Sequence, residues 1–282
     1  MTRADLDIRT RLAICVSPTD LSQMLARSVA ALPFLPRRGT ARGYRIFSLS
    51  GDQLAFCDLA VGSHVVIGRH SLADVVLDAP SNALRHVLLW ATRQNGKLIL
   101  RGHDLIDGKP IHTGPVFDRA RNLDLQGPLA FRVGNEPIVV LPDFGVGSNE
   151  ASPHPGMMTV AANTVIRMAP AIHAPWLTVD LMGLSGMHRL ERSQQSLQRA
   201  VLIGRYSRCE DGSGSVFSAN VSRVHAAIVR DEDGVLVFDL RSSNGLQWMG
   251  RSVRQVRVAS RALIQLGESD AIEVTVNPEC AE

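Results

Sequence analysis

Long hydrophobic runs are missing from this 282-residue chain: no stretch of about 18 apolar residues occurs, so nothing in the sequence is suited to cross a bilayer as a helix. Cysteine is scarce and scattered. Cys15, Cys57, Cys209 and Cys280 show neither CxxC pairs nor Cys/His ligand spacing, which indicates no disulfide framework and no structural zinc site and points to a reducing cytoplasm. Aromatics make up only 5% of the residues, and Lys is nearly absent: 28 of the 30 cationic residues are Arg, the exceptions being Lys97 and Lys109. With so marked an Arg skew, a single Arg points to a phosphate only where its surroundings support it. Charge of one sign is also lacking, since 30 cationic against 27 acidic residues leave +3. Residues 1–45 carry eight Arg and three Asp, a local excess of +5, so the remainder sums to −2, a balance that argues against broad nucleic-acid binding. At 45% hydrophobic and 20% charged the chain is too apolar for a disordered one, and its length suits two domains.

Catalytic signatures are absent as well. There is no GxSxG elbow, no GxxxxGK[ST] loop, no HExxH and no kinase signature run, and none of the nine His pairs with a Cys or carboxylate at ligand spacing. The sequence therefore predicts no enzyme, no cofactor and no metal.

What is present is punctuation. Residues 1–41 read as a leader: Ser17-Pro18-Thr19-Asp20 opens a short helix whose apolar residues Leu21, Met24, Leu25, Val29 and Leu32 recur at helical spacing until Pro33 and Pro36 stop it. From residue 42 short apolar runs alternate with Gly, Pro, Asn and Asp turns, the texture of a β-sandwich. Residues 142–171, with Gly145, Gly147, Pro153, Pro155 and Gly156, read as a linker, after which strand-like runs resume through 172–277. Trp90, Trp176 and Trp248 fall in such runs and are expected to pack into cores.

The two β regions repeat each other. Val66-Ile67-Gly68-Arg69 matches Leu202-Ile203-Gly204-Arg205 at an offset of 136, and His86 matches His225 at an offset of 139. In the second copy three separated motifs stand in order: Gly204-Arg205, then Val221-Ser222-Arg223-Val224-His225, then Asp239-Leu240-Arg241-Ser242-Ser243-Asn244-Gly245.

In this order the motifs closely resemble the forkhead-associated (FHA) domain, a β-sandwich that binds phosphothreonine peptides. The resemblance covers 172–277 well and 42–141 in degraded form. It implies an all-β chain of two FHA-like sandwiches. It further implies that Arg205, Ser222 and Ser243 meet phosphate, Arg223 adds a cation, Asn244 holds the peptide backbone, and Gly204, His225 and Gly245 support the site. The chemistry is apt, because a phosphothreonine carries about −1.5 to −2 charges and three acceptor oxygens, which call for fixed donors. The first copy keeps Gly68, Arg69, Asp74 and His86 but has Ala83 and Leu84 at the Ser-Arg positions. Its third loop is expected to be contracted to Arg101-Gly102-His103-Asp104, where an acid would oppose phosphate. The expected partner is a phosphothreonine-containing protein in a Ser/Thr kinase pathway, with no nucleic acid and no membrane insertion. The alternative is a phosphorylation-independent assembly component, for example of a bacterial secretion system.

Overall fold

The computed structural model describes residues 41–50, 53–80, 82–94, 96–106, 129–133, 136–143, 159–162, 175–210, 213–231 and 234–277. The leader and its expected helix lie outside them, as does most of the stretch read as a linker. The described residues up to Gly102 and from 129 to 143 belong to one compact unit; those from 159 onward belong to another.

The first unit is built from strands β1 (Gly43–Ser50), β2 (Gln53–Ala60), β3 (His64–Gly68), β4 (Val75–Val76), β5 (Val87–Gln94), β6 (Lys97–Asp104), β7 (Leu129–Val133) and β8 (Glu136–Asp143). They form two sheets, ordered β2-β1-β8-β7 and β4-β3-β5-β6. Inward residues of both, among them Tyr44, Ile46, Leu59, Ile67, Leu89, Leu100, Ile138 and Val140, share one core. This makes the unit a sandwich.

The second unit begins with β9 (Thr159–Ala162), which lies inside the stretch read as a linker. It continues with β10 (Leu177–Gly183), β11 (Gly186–Arg192), β12 (Val201–Ile203), a single helical turn α1 (Ser213–Val216), β13 (Ala226–Asp231) and β14 (Gly234–Asp239). It closes with β15 (Leu246–Trp248), β16 (Arg251–Val253), β17 (Gln255–Val258), β18 (Arg261–Gln265) and β19 (Ala271–Val276). The sheets are β11-β10-β19-β18-β15-β16 and β12-β13-β14-β17-β9, with β9 parallel to β17.

Sequence pattern explains these strands. In β18, Ala262 and Ile264 are buried while Arg261, Leu263 and Gln265 face solvent, and β19 buries Ile272, Val274 and Val276 in the same alternation, as a sheet with one wet face requires. β14 is buried along its whole length and accordingly reads as a continuous apolar run, Val235 to Phe238. Trp176 and Trp90 are buried, and Trp248 packs partly buried against the second core. Met249 (φ 50°) and Gly250 (φ 72°) make the two-residue turn between β15 and β16, both in the left-handed region that the twist of a tight hairpin demands.

Strand order repeats between the units. β2-β1-β8-β7 has the connectivity of β11-β10-β19-β18, and β3-β5-β6 that of β12-β13-β14. One expectation is corrected here: Arg101-Gly102-His103-Asp104 is not a loop but the last half of β6, because Gly102, which looks like a break in the sequence, continues the strand. Asp104 ends β6 as Asp239 ends β14, and both carboxylates accept a backbone N–H from the turn that follows. Ile106 N donates to Asp104 Oδ1 at 2.6 Å and Ser242 N to Asp239 Oδ1 at 3.1 Å. Asp104 therefore braces a turn. The residues beyond Ile106 that would hold the third motif lie outside the described ones.

Candidate functional site

The three motifs of the second copy occupy the loops after β12, before β13 and after β14. Backbone contact fastens the first two. Arg205 N donates to Ser222 O (3.2 Å) and Tyr206 N to Arg223 O (2.9 Å). The side chain of Arg205 is itself anchored, its Nε donating to Val221 O at 2.5 Å, which directs the rest of an exposed guanidinium outward from a fixed point. Buried Gly204 makes this approach possible. A Cβ there would stand 2.3 Å from Arg223 O, far inside contact distance.

His225 joins the second loop to the third. It is fully buried; its Nδ1 accepts from Ser222 N (3.1 Å), so Nε2 carries the proton and donates to Gly245 O (3.0 Å). Gly245 has φ 68°, and its N–H donates to Ser242 Oγ (2.9 Å), which in turn donates to Asp239 Oδ1 (2.6 Å). Ser242 is thus turned inward, and Ser243 and Asn244 are turned out.

Ser222 and Ser243 meet across the loops: Ser243 N donates to Ser222 Oγ (3.0 Å) and the two hydroxyl oxygens lie 3.5 Å apart. Asn244 Nδ2 donates to Asn220 O (2.8 Å), so part of its amide is spent tying loops together. Arg223 is exposed on the same loop and makes no side-chain hydrogen bond to the other four among the described residues. The structure thus draws Arg205, Ser222, Ser243 and Asn244 around one loop junction, with Arg223 beside it and Gly204, His225 and Gly245 beneath.

Sequence reasoning missed the deeper brace. Asp270, 1% exposed and immediately before β19, accepts from Ser218 N (2.9 Å) and Ser218 Oγ (2.5 Å), and Ser218 Oγ accepts from Asn220 N (3.2 Å). Two further acids near the junction are engaged as well: Asp239 faces Arg254 (3.9 Å) besides Ser242, and Glu210 pairs with Arg192. Burial lowers the pKa of Arg254 from its ordinary value, and Asp239 offsets part of that. Burial likewise pushes the Cys209 thiol up to about 11, leaving it protonated and donating to Arg223 O (3.4 Å).

All eight of these sequence-predicted residues fall within residues 201–267, which match the family model of the FHA domain. Residues 201–267 form an FHA domain. Members of this family are binding modules rather than enzymes, and read phosphorylated motifs. No curated protein matches the chain. Three similar solved structures are FHA-1 of Mycobacterium tuberculosis Rv1747, the FHA domain of Chlamydia trachomatis CT664, and Mycobacterium tuberculosis EmbR in complex with a low-affinity phosphopeptide. The Rv1747 domain shows 20% identity over 37% of this chain and 99% of its own, with a TM-score of 0.29. For CT664 the values are 21%, 36%, 98% and 0.28, and for EmbR 27%, 36%, 25% and 0.27.

A similar pattern of loop contacts occurs in the first unit. Arg69 N donates to Ala83 O (2.9 Å), His70 N to Leu84 O (2.9 Å), and Arg69 Nε to Asn82 O (3.3 Å). Ala83 N points at His86 Nδ1 (3.4 Å), and a Cβ on Gly68 would stand 2.4 Å from Leu84 O. Even the brace has a counterpart, Glu136 Oε1 accepting from Ala79 N (2.8 Å) where Asp270 accepts from Ser218.

Proposed function

We propose that the FHA domain captures phosphothreonine-bearing segments of a partner protein and that the chain is a cytoplasmic adaptor in Ser/Thr-kinase signalling. The observation that carries this reading is the junction itself: a tethered Arg205 beside Ser222 and Ser243 hydroxyls, on loops locked from below by His225 and Asp270. Preorganised donors suit a compact dianion, because little ordering entropy remains to be lost on binding. In this reading Arg205, Ser222 and Ser243 hold the phosphate, Arg223 adds charge, and Asn244, with one N–H committed to Asn220, uses its remaining amide groups on the peptide backbone. No metal or cofactor enters, and neither nucleic acid nor a membrane is a partner.

The first unit is read as a degenerate second copy. It keeps the frame and Arg69, but Ala83 and Leu84 remove the hydroxyl and the cation, and exposed Leu72 and Val76 lie on the segment that follows Arg69. That apolar surface supports a role as scaffold or phosphorylation-independent contact, the one observation favouring an assembly component as the second reading.

Matched phosphorylated and unphosphorylated threonine peptide libraries, titrated against the full chain, test the first. Binding should require the phosphate, and Arg205→Ala should weaken it by ~1.5–3 kcal/mol, roughly ten- to a hundredfold. Binding indifferent to both phosphate and Arg205 overturns it.

A further inference from the structure

The loop after β12 carries more than Arg205. Its backbone is closed on itself and on the neighbouring loop, with Cys209 N donating to Tyr206 O (2.9 Å) and Tyr206 N to Arg223 O (2.9 Å). Tyr206 is 40% exposed, and Arg208 lies over its ring with Cζ 5.7 Å from the centroid. An exposed guanidinium beside an aromatic ring keeps N–H donors that can meet a carboxylate in two-point fashion. No carboxylate among the described residues pairs with Arg205, Arg208 or Arg223, whereas Glu210 is taken by Arg192, Asp239 faces Arg254 and Asp270 holds Ser218. Among the described residues of these loops, Arg205, Arg208 and Arg223 set three guanidinium groups beside a site for one phosphate of about −2. On the Asn244 side the balance reverses: Glu268 is exposed on the turn whose Gly267 lies against Asn244, a Cβ at Gly267 standing 3.8 Å from Asn244 Nδ2.

We propose that Tyr206 and Arg208 are specificity-determining residues that receive an acidic side chain flanking the phosphothreonine, so that the ligand class is a phosphothreonine segment with a carboxylate on the side facing this loop. The inference rests on the phosphopeptide reading and names its ligand more narrowly. Glu268 repels an acid on the Asn244 side, which gives the preference one direction along the peptide.

The test is a titration of the full chain with fluorescent phosphothreonine peptides of Ala/Gly background, in which a single Glu is moved through each flanking position. The wild type should favour one position by about 3- to 10-fold over the Ala peptide, less at high salt. Arg208→Ala should erase that preference while binding of the Ala peptide stays within about twofold. Arg208→Glu should transfer it to the peptide with Lys at the same position, and Tyr206→Leu should reduce it with the charge retained. No favoured position, or a preference that survives Arg208→Ala, overturns the inference while phosphate-dependent, Arg205-dependent binding stands. Binding that needs neither phosphate nor Arg205 removes both readings.

Discussion

At the scale of single residues, the binding loops divide into side chains that face out and side chains that hold them. His225 belongs to the second kind, since both ring nitrogens are engaged within the protein. His225→Ala should therefore leave Ser222 N and Gly245 O without partners, lowering stability by ~1–3 kcal/mol in denaturant titration and weakening phosphopeptide binding although His225 touches no ligand. Gly204→Ala pushes a methyl into Arg223 O, and a loss of ~1–3 kcal/mol is expected by the same measurement. Cys209 offers a third check. Its thiol has a pKa raised to about 11 by burial, so the protonated form is the one the fold favours; stability from this group is present below the unfolded value near 9 and is lost as pH rises toward 11. At pH 8 the folded chain should resist alkylation at Cys209, and the denatured chain should react readily, as mass spectrometry of the tryptic peptide will show.

At the scale of elements, the sandwich turns three sequence-distant loops into one surface, and Asp270, immediately before β19, reaches under it. Asp270→Ala should free the loop containing Ser218 and Asn220 and reduce phosphopeptide affinity several-fold, while Asp270→Asn, which keeps an acceptor for Ser218, should be milder; isothermal titration of both variants separates the two. Much of this was legible beforehand. The alternation of β19, the apolar run of β14 and each of the motifs Gly204-Arg205, Ser222-Arg223 and Ser243-Asn244 lie within short windows, where local pattern carries the physics. Asp270 was not legible, because its partner Ser218 is 52 residues away and nothing local marks a carboxylate aimed inward. Neither was the inward turn of Ser242: of two adjacent serines, only the fold decides which one Asp239 takes. Nor was the strand character of Arg101-Gly102-His103-Asp104, expected as a contracted loop, since it comes from their place in β6 beside β5 in the sheet.

At the scale of the whole molecule, charge sits where it does little for polyanions. Residues 172–277 hold 12 Arg against 11 acids, so affinity for a phosphopeptide should come from placed donors and fall only gently with salt, with a log–log slope no steeper than about −2; duplex DNA should not compete at physiological salt. Arg69→Ala should leave phosphopeptide affinity within about twofold, since the first unit lacks the hydroxyl and second cation at Ala83 and Leu84. That unit nonetheless keeps the buried glycine approach, the histidine and the carboxylate brace. Recognition and folding therefore draw on separate layers of the same loops. A sandwich built this way can change at its outermost loop positions while the buried frame beneath them stays as it is.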